Sequence, residues 1–176
     1  MPDMGVVDPL RDLKRRHWWI LEFPAEAALA NLSLSLKEAS LPSISLPRIE
    51  IHRKNERYYL PGKPEYGELS FSFYAYLDQD LDGGRLMYEW LQKMYAAGPG
   101  GGLTTGDMGF KADYAFDCTM VLTDGIGTEV EEWRYAGCFP TSIDYGSLDY
   151  EDAGAIMVSV TLSIDKAVKV SPAVAG

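Results

Sequence analysis

Strict alternation of apolar and polar residues constrains the fold of this chain more than any other feature. In residues 156–164 every second side chain is apolar, with Ser159, Thr161 and Ser163 between them. Residues 32–36, 69–77 and 114–122 show the same period of two. Successive side chains of a β-strand point to opposite faces, so the pattern predicts strands with one face in a core and the other in water.

A single segment follows a helical period instead. Its apolar side chains recur at the spacing of one helical face: Leu86, Met87, Trp90, Leu91 and Met94. Asp80 or Asp82 is the predicted N-cap, and the helix is expected to end after Ala97, before a Gly-Pro pair. We expect four side chains to hold the helix against the sheet: Leu86, Trp90, Leu91 and Met94. The predicted fold is mostly β, a β-sandwich or barrel of about six or seven strands with one packed α-helix.

The charge distribution argues against ordinary nucleic-acid binding. The chain carries a net charge of −10, and residues 107–165 contain twelve acidic residues against Lys111 and Arg134. Phosphate contacts supply most of the affinity for nucleic acids, and the main basic run is Lys14, Arg15 and Arg16. No apolar run is long enough to span a bilayer, so no membrane insertion is expected. The N-terminal residues lack the apolar region of a secretory signal, which predicts folding in a cytoplasm.

Residues that commonly serve as catalytic groups or metal ligands are few in this chain. His17 and His52 are isolated in the sequence, so we predict no catalytic residues, no metal site and no cofactor. Cys118 and Cys138 are interpreted as buried free thiols, with a bridge within or between subunits as the alternative. The glycine-rich run 98–106 follows a helix and lacks the lysine of a phosphate-binding loop, which favours a surface loop.

Three stretches stand in a fixed order along the chain. The first is WILEFP at residues 19–24, and the second is NERYYLPGKPEYGELSFSFY at residues 55–74. The third is RYAGCFPTSIDYGSLDY at residues 134–150, which precedes an alternating strand. In this order they resemble the contractile-phage tail tube protein family, and the resemblance extends from Trp18 to Ile164. The charged residues before Trp18 and the glycine-rich run depart from the family pattern.

The resemblance implies a structural subunit that is not an enzyme. Members of that family form hexameric rings whose inner strands join into one barrel, and the rings stack into a hollow tube inside a contractile sheath. The implied partners are other copies of the chain and the sheath, baseplate and tail terminator proteins, while DNA passes through the lumen without specific binding. The implied location is the virion tail, with assembly in the host cytoplasm. Residues 18–170 would form the tube domain, between an assembly segment at 1–17 and a tail at 171–176.

The resemblance also assigns roles to particular residues. Those expected to face the lumen are Ser33, Ser35, Ser159, Thr161 and Ser163. Those expected to make assembly contacts are Arg15, Arg16, Tyr58, Tyr59, Pro61, Gly62, Gly100, Gly101 and Gly102. One alternative keeps the fold but makes the chain the inner tube of a bacterial contractile injection system or tailocin. Two others are a monomeric carbohydrate-binding β-sandwich that uses its tyrosines, and a small cupin-like hydrolase, which the shortage of histidines disfavours.

Overall fold

A computed structural model describes residues 14–24, 29–78, 82–95, 109–150 and 154–170. These residues form eleven β-strands, two α-helices and one 3-10 helix at Ala30–Leu34. The strands before the first α-helix are β1 (Trp19–Glu22), β2 (Leu36–Ala39), β3 (Ile44–Ser45), β4 (Arg48–Arg53), β5 (Glu56–Pro61), β6 (Glu65–Tyr66) and β7 (Leu69–Tyr74). The later elements are α1 (Gly83–Met94), α2 (Lys111–Tyr114), β8 (Phe116–Thr123), β9 (Glu129–Asp144), β10 (Met157–Ser163) and β11 (Lys166–Val170).

Strand β9 joins two antiparallel four-stranded layers. Its first part pairs with β8 and β11, and β8 also pairs with β1. Its last residues, 139–144, pair with β10, which is followed by β7 and β2. Gly137, with a φ of 66°, lies two residues before the second part begins at Phe139, and a glycine adopts this left-handed conformation without steric cost. The mostly β class predicted from the alternation is therefore confirmed.

The core lies between the two layers and is built from the apolar members of the alternating strands. Leu69, Phe71 and Phe73 of β7 pack with Val158 and Val160 of β10. The opposite layer contributes Leu21, Cys118, Met120 and Tyr135. Burial of each large apolar side chain contributes about 1.5–3 kcal/mol, so this shared core is the main stabilising feature of the subunit.

A tight turn connects β8 to β9 where the sequence predicts a hairpin. The Asp124 carboxylate accepts hydrogen bonds from the backbone N–H groups of Thr128 (2.8 Å) and Ile126 (3.0 Å). These bonds stabilise the ionised form and lower the pKa of Asp124. Gly127 has a φ of 88°, which a residue with a Cβ would adopt only with strain.

Helix α1 begins as the sequence predicts but ends earlier. Asp82 is its N-cap and accepts a hydrogen bond from the Gly84 N–H at 3.1 Å, whereas residue 80 lies outside the described residues. Leu86, Met87 and Trp90 are buried, and Met94 is half-buried. Leu91 is 36% exposed, so the expectation that it holds the helix to the sheet needs correction. A helix turns by about 100° per residue, which carries Leu91 away from the face that Trp90 buries. Helix α1 ends at Met94, before the expected end at residue 97.

Residues 32–36 do not form the predicted strand. Ala30–Leu34 is a 3-10 helix, in which side chains three apart share a face, and Leu29, Leu32 and Ser35 are accordingly buried. Leu34, which the strand would have buried, is exposed. Strand β2 begins only at Leu36. In this stretch every third side chain is therefore buried, as in a 3-10 helix, and not every second one, as in a strand.

Two other predicted strands are shorter than expected. Tyr114 ends α2, so β8 begins at Phe116. The buried face of β7 ends at Phe73, and Leu77 lies in solvent beyond the strand. In the described part of the chain, no helix is long and apolar enough to cross a membrane.

Candidate functional site

One broad surface of the molecule is lined mainly by hydroxyl side chains. The buried residues of β7 and β10 face the core, so the residues that alternate with them share the opposite face. Strand register places Ser159 beside Ser72 and Thr161 beside Ser70, and Ser72 is 7% exposed in the isolated subunit. The neighbouring strands extend these two rows on both sides with Glu38, Ser142 and Asp144. We name these seven residues the hydroxyl face: Glu38, Ser70, Ser72, Ser142, Asp144, Ser159 and Thr161. Two of its members are carboxylates, and the Lys37 ammonium lies at its edge, 5.5 Å from the centre of the Tyr74 ring, which continues the same face. The face is therefore polar and carries both signs of charge.

Only part of the predicted lumen set lies on the hydroxyl face. Ser159 and Thr161 belong to it, whereas Ser163 opposes Phe139, beyond a register shift in β10. Ser33 lies in the 3-10 helix and is half-buried. Ser35 is 3% exposed and its hydroxyl donates to the Leu32 carbonyl oxygen at 2.9 Å. A buried, internally bonded side chain cannot line a channel, so the expectation for Ser35 is wrong.

The layer behind the hydroxyl face ends in two strand edges. Within the described residues, β2 pairs with β7 alone, and residues 139–144 of β9 pair with β10 alone. Each edge carries backbone N–H and C=O groups that a further strand can pair with. The directions alternate through the layer, so β2 and residues 139–144 run opposite ways. These edges were not predicted from the sequence, because strand order is a long-range property.

The hairpin of β4 and β5 exposes an apolar face. Its register places Ile49 opposite Leu60 and Ile51 opposite Tyr58, and all four side chains are exposed. We name these four residues the hairpin apolar face. Apolar side chains gathered on one exposed surface are typical of an interface, because burying them in an assembly is favourable.

The opposite face of the same hairpin is charged. The Arg48 guanidinium lies 4.3 Å from the centre of the Tyr59 ring, and Glu50 pairs with Arg57 at 3.4 Å. Tyr58 and Tyr59, both predicted assembly residues, therefore lie on different faces. Tyr58 donates a hydrogen bond to Glu56, which raises the pKa of Tyr58.

The remaining predicted assembly residues are scattered. Pro61 ends β5, and the Gly62 N–H donates to the Pro47 carbonyl oxygen at 2.6 Å, where a Cβ would be too close. Arg15 and Arg16 are exposed and border a cleft beside β1. Gly100, Gly101 and Gly102 lie outside the described residues.

A buried carboxylate that sequence reasoning missed connects both ends of the described chain. Glu131 is 6% exposed and lies on the face of β9 that also carries Trp133. It accepts from the Trp133 Nε1–H at 2.6 Å and pairs with Lys169 at 3.0 Å and with Lys14. Three donors satisfy the carboxylate, as a buried charge requires. In the sequence Glu131 is one of several clustered acids, and nothing marks it as buried.

The polar groups of the described residues do not assemble a catalytic constellation. Cys118 and Cys138 are buried free thiols, and the mutual hydrogen bond and burial raise the pKa of Cys118. No group of three or more His, Cys, Asp or Glu side chains among these residues is arranged to hold a metal ion. The surfaces described above are suited to protein contacts.

A polar sheet face, two complementary edges and an exposed apolar hairpin are features of a subunit that assembles with copies of itself. The family model for phage tail tube proteins matches residues 14–166. The chain belongs to the phage tail tube protein family. A search of curated protein sequences finds no match.

Solved structures of tube-like proteins share the fold. The tube-terminating cap of the anti-feeding prophage has a TM-score of 0.70 and 17% identity, covering 98% of this chain and 100% of its own. A chain of the PVC extracellular contractile injection system, from its extended sheath–tube complex, has a TM-score of 0.64 and 18% identity, covering 94% and 95%. A chain of the anti-feeding prophage baseplate has a TM-score of 0.65 and 12% identity, covering 92% and 98%. At these identities the likeness shows the fold.

Proposed function

We propose that this member of the tail tube family is a structural subunit without catalytic activity that forms hexameric rings. In this ring, residues 139–144 of one subunit pair with β2 of the next. The two edges of the four-stranded layer are the observation that supports this proposal. Each edge lacks a partner strand in the described residues, and the two edges run in opposite directions. Copies related by rotation therefore bring β2 and residues 139–144 together as an antiparallel pair. A head-to-tail contact of this kind closes into a ring, which removes every free edge of the layer.

The hydroxyl face becomes the inner wall of this ring. Its short polar side chains leave the bore open, and Glu38 and Asp144 are repeated in every subunit. A polyanion passes such a wall without being held, because phosphate binding needs a cluster of cations. We therefore propose that DNA travels through the channel without specific contacts.

The hairpin apolar face supplies the contact between stacked rings. It is exposed in the subunit, and its position on a two-stranded arm apart from the main sheet lets it reach another copy. Burying large apolar side chains is favourable by about 1.5–3 kcal/mol each, which is enough to drive stacking when six arms act together. Sheath, baseplate and terminator proteins are the proposed partners of the finished tube, within a tail particle that assembles in the host cytoplasm.

Transport in an injection system is a second proposal for the same tube. The structurally similar chains come from the anti-feeding prophage and the PVC injection system. As the inner tube of such a system, this chain would form the same channel and need not carry DNA.

Purified protein provides the test. We expect sedimentation velocity and negative-stain microscopy to show hexameric rings and stacked tubes. The double variant Ile51→Asp/Tyr58→Asp should keep rings and lose tubes, while Glu50→Gln on the charged face should keep both. A protein that stays monomeric over the whole concentration range, with tail initiation proteins present, would contradict the proposed function.

A further inference from the structure

The hairpin of β4 and β5 leaves the four-stranded layer at one end. Just after β2 the Ser40 N–H donates to the Ser70 carbonyl oxygen at 2.7 Å, next to the start of β7 at Leu69. The chain between β2 and β7 contains the hairpin, so we name this side of the layer the arm end. Every residue of β4 and β5 is exposed, so the hairpin does not pack on the rest of the described subunit. Each strand has six residues and spans roughly 20 Å, which gives the hairpin a long reach.

Helix α1 begins at the opposite end of the same layer. Strands β7 and β9 end there, and β10 begins there. A Cβ on Gly83, the first residue of α1, would overlap the Phe73 ring near the end of β7. The Tyr145 ring, just after β9, lies 3.8 Å from the position that a Cβ on Gly84 would take. We name this side of the layer the helix end.

The outer face of α1 carries exposed apolar side chains at the helix end. Gly84, Tyr88 and Leu91 recur at the spacing of one helical face, turned away from the buried side of the helix. Tyr145 continues this face beyond Gly84, and burial, together with nearby Tyr88 and Asp82, raises the pKa of Tyr145. Tyr88, Leu91 and Tyr145 are 36–48% exposed, and we name these three residues the helix patch. Large apolar side chains in this state gain free energy when a partner buries them.

Closure of the proposed ring turns the two ends of the layer into the two faces of the ring. The strands of a closed barrel tilt by roughly 35–45° from its axis, so their opposite ends lie at opposite ends of the barrel. The hairpins therefore leave one face of each ring, and the helix patches lie at the other. Rings that all stack in the same direction bring the arm end of one ring against the helix end of the next.

The hairpin and the helix patch complement each other in charge as well as in apolar surface. The hairpin, residues 48–61, has four cations and two carboxylates, and Arg53 and Lys54 at its turn take part in no ion pair of the described residues. The charged groups beside the helix patch are Asp82, Glu89 and Arg85, of which the last two pair at 3.6 Å. The excess charge is thus positive on the hairpin and negative beside the patch. Attraction favours this contact, whereas two hairpins would repel each other.

We propose that the hairpin apolar face of each subunit docks on the helix patch of a subunit in the next ring. The partner is a second copy of this chain, and the inference rests on the proposed function because it needs rings that stack. Each subunit gives one hairpin and receives another, so the contact is head-to-tail and repeats along the tube. It also covers Leu91, which the isolated subunit leaves partly in solvent.

Cysteine cross-linking tests where the hairpin docks. Gln92 is exposed and follows Leu91 on the helix. In tubes of the double variant Ile51→Cys/Gln92→Cys, a short bis-maleimide should join copies into a ladder that continues beyond six chains, because each link leads to another ring. Either substitution alone should give no ladder, because Cys118 and Cys138 are buried. The matched control Ile51→Cys/Ile126→Cys, with its second thiol at the exposed β8–β9 turn, should also give none. A ladder that stops at six, a product within one chain, or no ladder in tubes that do form would overturn this contact.

Sedimentation velocity tests the contribution of the patch to stacking. Tyr88→Ser/Leu91→Ser should keep rings and raise the concentration needed for tubes by roughly tenfold or more, as the loss of two buried anchors predicts. Ile126→Ser should leave this concentration unchanged. Stacking of the double variant at the wild-type concentration would overturn the contact.

Mixing of preformed rings tests the pairing itself. Rings of Tyr88→Ser/Leu91→Ser carry intact hairpins, and rings of Ile51→Asp/Tyr58→Asp carry intact patches. The mixture should therefore give paired rings but no tubes, whereas each variant alone stays as single rings. A mixture in which all rings stay single would overturn the contact and leave the rings standing. A wild-type protein that forms no rings or no tubes would overturn the proposed function instead.

Discussion

The Lys169 ammonium lies 3.0 Å from the buried Glu131 carboxylate, which also pairs with Lys14. Lys14 and Lys169 lie near the two ends of the described chain, so the Glu131 side chain holds both ends against β9. The lysines are about half exposed, with side-chain exposures of 57% and 50%, whereas that of Glu131 is 8%. The desolvated partner of these ion pairs is therefore the carboxylate.

Glu131→Ala is expected to destabilise the subunit by roughly 2 kcal/mol, because it removes charge-assisted hydrogen bonds from a buried site. Glu131→Gln retains an acceptor for the Trp133 N–H and should cost about half as much. Denaturant unfolding of an assembly-deficient monomer measures both. Glu50→Gln removes an exposed pair of the hairpin and should change stability by less than about 0.5 kcal/mol. Equal effects of Glu131→Ala and Glu50→Gln would contradict the role assigned to Glu131.

Trp90→Ala is expected to cost roughly 3–5 kcal/mol, as for other large aromatic side chains removed from a core. Trp90 is 2% exposed, packs on Phe116 and donates to the Tyr114 carbonyl oxygen at 2.6 Å. Leu91→Ala, one residue along the helix, should cost less than about 1 kcal/mol because Leu91 is partly in solvent. Chemical denaturation of both variants would show the difference, and similar losses would mean that the helix buries another face.

Gly83→Ala and Gly84→Ala should have opposite outcomes. A Cβ on Gly83 would overlap the Phe73 ring and the Leu32 side chain, so this variant should lose about 1–3 kcal/mol by overpacking. A Cβ on Gly84 would meet the Asp82 carboxylate no closer than 3.2 Å, and alanine favours the helix. Thermal unfolding should therefore show a lower Tm for Gly83→Ala and an equal or higher Tm for Gly84→Ala. A tolerated Gly83→Ala would show that α1 does not approach β7 this closely.

Thr161→Lys is expected to leave folding and ring assembly intact and to impair DNA delivery. Its neighbours Val160 and Leu162 are buried and Thr161 is on the opposite face, so the added ammonium reaches the proposed bore. Duplex DNA carries about one charge per 1.7 Å of its axis, and repeated rings of cations should retard it. Delivery by assembled particles at increasing salt measures the effect, which screening should relieve. Ile126→Lys adds the same charge at the β8–β9 turn and should deliver normally, whereas normal delivery by Thr161→Lys would remove that residue from the channel.

Local sequence patterns predicted many of the core residues, helix α1 and the family of this protein. The period of two in residues 69–73 and 158–164 places the same side chains in the core as the structure does, because a strand permits only two faces. Ile156, which the pattern also assigned to the core, is exposed. The helical spacing identified α1 and its burial of Leu86 and Trp90. Asp82 and the Asp124 turn followed from hydrogen bonds between near neighbours, and the motifs of residues 19–24, 55–74 and 134–150 identified the family.

Tertiary structure decided the features that depend on residues far apart in the chain. Ser35 and Ser159 are equivalent in an alternation pattern, yet one is buried in a 3-10 turn and the other lies on the hydroxyl face, because packing against the core selects between a period of two and a period of three. Glu131 resembles any other acid in its run until folding brings Lys14 and Lys169 to it. Strand order, and with it the cleft beside β1, arises from pairing between strands that are far apart in the sequence. Local sequence patterns do not predict which of these distant strands pair.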